Sequence, residues 1–283
     1  MRGLAEYAMS GRLQAATVAV LFGLIPGFSM VSGAVVALVI LRRGLQDGSQ
    51  IFLWALLPAG LQWLLGDPSS VFVLLGVVLA GVVLRNTQSW QFTSLLIALA
   101  GIALQSSLPL QQNYLAHTKE VMDTLVANGL QLPVEVDGKV VTATSDQMVA
   151  AMLQFYGGYQ VVMMLGCMLL GRYWQALLYN PGGFREEFYN LRFDWRLMSA
   201  LLIVVALGVY GVSPLNEWLM MLCVVPILNG LAVVHSVVAK RRMGMTMLVL
   251  AYLVLMIAAP AFVLLGFVDS LVDIRKRLDK PTN

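Results

Sequence analysis

Long apolar runs follow one another along this 283-residue chain, and no Asp, Glu, Lys or Arg stands near the middle of any clear one. A helix needs about 20 apolar residues to cross roughly 30 Å of hydrocarbon. A soluble domain of this length would carry about a quarter of its residues charged, whereas here 12% are charged, 59% are hydrophobic and the mean hydropathy is +0.80. Lipid is therefore the expected solvent, and the pattern predicts an all-α, polytopic helical membrane protein with eight or nine transmembrane segments. The first run, 13–41, is interrupted by Pro26, Gly27 and Ser29 and reads either as one broken helix or as a hairpin of two short ones. Runs at 51–65, 70–84 and 90–108 follow, and after a polar stretch come 148–170, 197–212, 218–238 and 246–267. This divides the chain into an N-terminal membrane bundle (1–110), a small folded external loop (111–147) and a C-terminal membrane bundle (148–283) with a loop at 172–196.

Basic residues orient the set, because Lys and Arg beside short loops stay cytoplasmic. Arg42 and Arg43, Arg85, the 172–196 loop and Lys240-Arg241-Arg242 share one side when the helices alternate. The 111–147 loop carries Glu120, Asp123, Glu135, Asp137 and Asp146 against Lys119 and Lys139, and falls on the external side. The tail with Arg275, Lys276 and Arg277 resists this scheme: four crossings after the acidic loop place it outside, unless the segment around Pro260 re-enters. The net charge of +3 reflects this topology, since the basic residues sit singly or in short clusters beside apolar runs; no nucleic-acid partner is expected. Arg2 and Arg12 before the first run loosely resemble a secretory signal, but no small-residue cleavage site follows, so the segment is expected to be retained. Cys167 and Cys223 both lie in apolar runs and read as small hydrophobes.

Both large loops carry local structure. In 113–133, Leu115, Val121, Met122, Leu125 and Val126 recur at helical spacing, with Gly129 placed as a C-cap and Pro133 beyond. That pattern predicts an amphipathic helix on the membrane. The stretch 134–142 alternates about Asp137-Gly138, a strong hairpin signal, and Thr144 with Gln147 can cap the next helix. The external loop is expected to be a folded connector, or a lid over an external opening. The 172–196 loop mixes Tyr173, Trp174, Tyr179, Phe184, Phe188, Tyr189, Phe193 and Trp195 with Arg172, Arg185, Arg192 and Arg196. Such a mixture suits the headgroup level of a bilayer. Arg172, Trp174, Arg185, Phe188, Arg192 and Trp195 are its candidates for docking a partner protein or an anionic headgroup.

A polar side chain in lipid must pair or line a cavity. Pro26, Ser29, Gln62, Gln105, Gln160 and Asn229 are the candidates for a ligand cavity, with Gln154 and His235 also inside apolar runs. The absence of a mid-span carboxylate argues against an ion-coupled carrier. Pro58, Pro226 and Pro260 break further spans, and the Gly23/Gly27 and Ser29/Gly33 spacings would let the halves of the first segment pack closely. Asp269 and Asp273 share a helical face and could hold Mg²⁺, but the basic run after them could pair with them, and no second acidic motif completes a site. No metal centre or cofactor is expected: His117 has no metal-type companion, and no phosphate loop or catalytic constellation stands out. The chain reads as a non-enzyme.

The closing stretch, with Gly266, Asp269, Asp273 and Arg275 to Arg277, resembles the ending of the DUF2232, or YybS-like, family of bacterial multi-pass membrane proteins, and 26–44 is also similar. The resemblance covers most of the membrane part and little of the external loop. It implies a bacterial inner-membrane protein, distantly similar in helix arrangement to the substrate-binding subunits of energy-coupling-factor vitamin transporters and to cell-shape scaffold proteins. Two functions follow as expectations: a substrate-binding or lipid-handling transport component served by an energy-supplying partner, or a scaffold for an envelope assembly.

Overall fold

A computed structural model of the chain describes residues 2–25, 27–136 and 139–278. The described residues fold as helices apart from one short ribbon. Helices α1 (Arg2–Ser10), α2 (Arg12–Leu24), α3 (Ser29–Arg43), α4 (Leu45–Leu64), α5 (Ser69–Thr87) and α6 (Trp90–Ser107) form the first bundle. Helix α7 (Gln112–Ala127), strands β1 (Pro133–Val136) and β2 (Lys139–Thr142) and helix α8 (Ser145–Gln154) make up the loop. The rest comprises α9 (Tyr156–Tyr179), α10 (Gly183–Asn190), α11 (Trp195–Val209), α12 (Leu215–Lys240), α13 (Met245–Ile257), α14 (Ala259–Val272) and α15 (Ile274–Leu278).

Four helices are long and apolar enough to cross a membrane: α5, α6, α9 and α12. A fifth is reached if α13 and α14, bent by 109° at Ala258, form one span. The eight or nine spans expected from hydropathy are not all met at that standard. The apolar helices α2 and α11 have only 13 and 15 residues, about 20 and 22 Å at 1.5 Å per residue. Hydropathy runs over such breaks because Gly, Ser and Pro hardly dilute an apolar window.

The first segment is a hairpin. Arg12 at the start of α2 pairs with Asp47 at 2.7 Å, just past the end of α3, while Gly23 near the end of α2 meets Ser32 near the start of α3. Helix α3 then runs through the centre, packed by α2, α4, α5 and α9, and every residue from Ser32 to Leu41 is buried. Small residues permit this. A side chain at Gly33 would meet Cys167 Sγ of α9 at 2.6 Å, and one at Gly171 of α9 would meet the Ala34 carbonyl at 2.9 Å. Gly33 thus serves contact with α9 rather than with α2, and Gly23 fits against Pro58 of α4. Pro26 lies outside the described residues.

The bundle has two ends. At one, the termini of α3, α5, α9 and α12 gather with α10 and the basic residues; at the other lie α7, α8 and the ribbon. The bent pair α13–α14 explains the tail. Gly230 of α12 sits against Phe262 and Gly266 of α14, and further along α12 Lys240 donates to the Arg275 carbonyl at 3.1 Å. Helices α12 and α14 therefore run parallel, and Arg275 to Arg277 return to the basic end. The segment around Pro260 bends the chain back, by 109° between the two helices.

The loop folds as its pattern predicts. Helix α7 ends at Gly129, whose φ is 97°; β1 and β2 pair antiparallel from Pro133↔Thr142 to Val136↔Lys139. The Asp137-Gly138 turn lies outside the described residues. Thr144 and Gln147 form a capping box at the start of α8, with Gln147 Oε1 accepting from the Thr144 amide at 2.9 Å. Such a box satisfies two amides that a helix start otherwise leaves unpaired.

Candidate functional site

Beneath α7, the loop end of the bundle holds a pocket of about 40 Å³ whose walls are partly apolar, from Ala55, Ala59, Val73, Leu74 and Met163, and partly oxygen-bearing: Ser29 and Ser32 of α3, Asp67, Ser69 and Ser70 at the α4–α5 connection, and Tyr159 of α9. That is room for a few waters or one small polar group. The connector places these groups. Asp67 Oδ1 accepts from the Ser69 amide at 2.9 Å, which starts α5 and fixes the carboxylate at the pocket edge. Gln62 holds the outer wall, accepting from Ser70 Oγ at 2.5 Å and donating to the Gly23 carbonyl at 3.1 Å, so one amide joins α2, α4 and α5.

The floor is under-satisfied. Ser32 Oγ and both amide atoms of Gln160 are buried with no hydrogen-bond partner in the protein among the described residues. Each such group costs about 1–3 kcal/mol when its bonds go unmade, which is a large share of a typical net stability of roughly 5–15 kcal/mol. Ser32 lines the pocket; Gln160 does not, and lies one turn beyond Tyr156 on α9.

Helix α7 covers this end. Tyr114 and Tyr156 are buried with ring centroids 5.0 Å apart, Tyr156 Oη lies 3.1 Å from Gln111 Oε1, and His117 packs so closely on Gly66 that a Cβ there would meet its ring. Burial, and next the Asp67 carboxylate, push the Tyr114 phenol up to about 12. It therefore stays neutral and keeps its proton at any physiological pH. The N-terminal half of α7 lies on the bundle end, whereas Val121 and Leu125 further along remain exposed. At the far end of the loop, Lys119 links α7 to α8, 2.7 Å from Asp123 and 2.8 Å from Asp146.

The remaining candidates fall elsewhere. Gln105 bridges the break between α8 and α9, donating to the Leu153 carbonyl at 3.1 Å and accepting from the Gly157 amide at 2.7 Å. Asn229 belongs to a buried network at the basic end: it donates to the Gly266 carbonyl at 2.8 Å and to Ser270 Oγ at 3.0 Å. In the same network Arg275 meets Asp269 at 2.6 Å and the Tyr189 carbonyl at 2.9 Å. Asp269 is fully buried, while Asp273 pairs with Arg192 at 2.9 Å and Lys276 at 3.2 Å. The two carboxylates, four residues apart, thus face different cations instead of converging on one ion. Gly266, Asp269, Asp273 and Arg275 together lock the returning helix onto α12 and α10.

Of the aromatic and basic candidates in 172–196, the structure brings few to an open surface. Trp174 is fully buried, Phe188 is buried, Arg172 is held by Glu187 at 2.6 Å, and Arg192 is held by Asp273. Trp195 is exposed, and Arg185 lies on the exposed side of α10. His235 sits between the rings of Phe188 and Tyr252, 2.9 Å from the Tyr252 hydroxyl. Sequence reasoning missed Asp67, Ser32, Ser69, Ser70 and Tyr159, which stand at helix ends or beside ordinary apolar positions. The clue that was available is the Asp-Pro-Ser-Ser start of α5, a cap whose carboxylate faces the membrane edge.

No family model, curated protein or solved structure matches this chain.

Proposed function

We propose that the chain is a substrate-binding membrane component that takes a small polar solute into the pocket beneath α7, on the outer side of a bacterial inner membrane. In this reading the helices α2 to α6, α9, α11 and α12 make eight crossings, the α13–α14 pair re-enters without crossing, and residues 111–147 are external. Both chain ends then lie with the arginines, as the positive-inside rule asks. The chain is non-enzymatic, a partner supplies energy, and the resemblance to DUF2232 proteins and to energy-coupling-factor substrate-binding subunits points the same way.

One observation supports this reading: the Ser32 hydroxyl, buried and without a protein partner among the described residues, lines a pocket that Asp67 also lines. A ligand with a donor for Asp67 and a group for Ser32 would meet both needs. Native mass spectrometry of gently purified protein should show a small molecule retained by the wild type and lost in Asp67→Asn and in Ser32→Val. Retention unchanged in both variants, or no bound species beyond lipid, would sink the idea. The exposed Trp195 and Arg185 favour a second reading, a scaffold that docks a partner at the basic end. Exchange of both should then abolish co-purification of a second polypeptide while leaving the fold unaltered.

A further inference from the structure

The basic end holds a second, larger cavity of about 590 Å³, lined by Leu41, Arg42, Leu84, Arg85, Gln88, Arg172, Gln175 and Glu187. Its charge is unbalanced. Three guanidiniums face it against one carboxylate, and that carboxylate is already engaged: Glu187 Oε2 accepts from Arg172 at 2.6 and 3.0 Å, and Oε1 accepts from Trp90 Nε1 at 2.6 Å. Arg172 also donates to Gln175 Oε1 at 2.5 Å, so its fork is held in place. Arg85 gives one nitrogen to the Ile40 and Leu41 carbonyls, at 3.1 and 2.8 Å, where a cation offsets the negative end of α3. Helix ends explain Arg85 in part, and Arg42 too stands in the last turn of α3, but its guanidinium bonds to no described helix-end carbonyl. Its guanidinium lies 3.9 Å over the Tyr179 ring and, among the described residues, has no carboxylate or carbonyl partner.

We propose that this cavity binds a phosphate group, with Arg42 and Arg85 as its donors, Gln88 beside them, and Arg172 as a fixed positive wall. Guanidinium forks match phosphate oxygens, and basic pockets between membrane helices on the cytoplasmic side take anionic headgroups. The volume is within the range of ligand pockets, about 300–1,000 Å³, and Leu41 and Leu84 give the wall an apolar strip that suits a glycerol backbone. The cavity sits where α3 and α5 end, beside the C-terminal half of α9. This inference rests on the membrane topology proposed above, not on the pocket beneath α7.

The test compares wild type with Arg42→Gln in nanodiscs, since Arg42 is exposed and donates to no helix-end carbonyl among the described residues. In one arm, phosphatidylglycerol is titrated into phosphatidylcholine discs and lipid retention is read by native mass spectrometry. In the other, inorganic phosphate is added to pure phosphatidylcholine discs and the thermal midpoint is read against chloride of equal ionic strength. A headgroup site gives preferential retention of phosphatidylglycerol, weakened about fivefold by Arg42→Gln, the change that roughly 1 kcal/mol per basic residue corresponds to. Arg42→Lys should recover part of it. A soluble-phosphate site gives phosphate-dependent stabilisation that Arg42→Gln removes. No preference in either arm overturns the proposal, as does an equal loss in Arg196→Gln, which removes a charge from the same end but outside the cavity.

Discussion

The two broken segments of this protein, α2–α3 and α13–α14, look alike as sequence and are held differently. Each is a pair of short apolar helices around a break near a proline. Helix α3 is buried along its length and fixed by close approach to α9 through Gly33 and Gly171. Helix α13 has no buried residue at all, while its partner α14 closes on α12 through Gly230 and Gly266 and is tied further along by Asp269, Arg275 and Asn229. In lipid, apolar composition cannot tell a central helix from a peripheral one, because lipid tails are as apolar as leucine. Helices α3 and α14 are both secured by small residues that let backbones approach, but only α14 adds a buried ion pair, and α13 has neither.

The largest test of that contrast is Asp269→Ala. It leaves Arg275 as a buried charge with no carboxylate, a loss of about 3–5 kcal/mol, and should release α14 while α2–α3 stays protected in hydrogen exchange. Protection lost equally in both pairs would erase the distinction. Next comes Gly171→Val, which drives a side chain into the Ala34 carbonyl and the Ala37 methyl of α3. Overpacking of this kind costs about 1–3 kcal/mol, read as a lower midpoint in thermal unfolding, with the α14 anchor unaffected.

A smaller effect is expected at Asp273, the partly exposed end of the same anchor. Burial works to raise its carboxyl, but the Lys276 amide and ammonium and the Arg192 guanidinium outweigh it and hold it below its ordinary value of 3.8. A lowered folded value means that the stabilisation is complete above pH 3.8 and fades as the pH falls through the folded value below it. Asp273→Asn should cost at most about 1 kcal/mol at neutral pH, as surface pairs do, and should flatten the acid limb of the stability curve; an unchanged limb counts against the pairing. The smallest effect belongs to Leu253→Val on α13, within about 0.5 kcal/mol, because that side chain is exposed on a helix with no buried residue. Apart from energetics, a cysteine placed at Arg277 in a chain lacking Cys167 and Cys223 should be labelled from the same side as one at Arg85. Labelling from the opposite side would turn the re-entrant pair into a crossing.

Much of the local structure was legible in the residues. The Thr144/Gln147 box, the Gly129 stop and the ribbon around 137–138 depend on short-range chemistry, and they form where their spacing places them. Gln62, Gln105 and Asn229 were recognisable as costly amides, yet only Gln62 adjoins the pocket; the other two stitch helices elsewhere. Trp174 and Arg172 carried the marks of an interfacial loop, but one packs into the core and the other is spent on Glu187. Their partners lie in distant parts of the chain, so no local pattern could assign them.

The sequence by itself determined the solvent, the helical class, the basic and acidic ends and the turns, since these follow from transfer energies and from bonds between near neighbours. Tertiary structure alone decided that the first segment folds back as a hairpin, that α14 bends back toward the C-terminal end of α12, and that Ser32, Asp67 and Tyr159 share a pocket. Each of those outcomes rests on which helix faces reach contact, and that is set by shape between residues far apart along the chain.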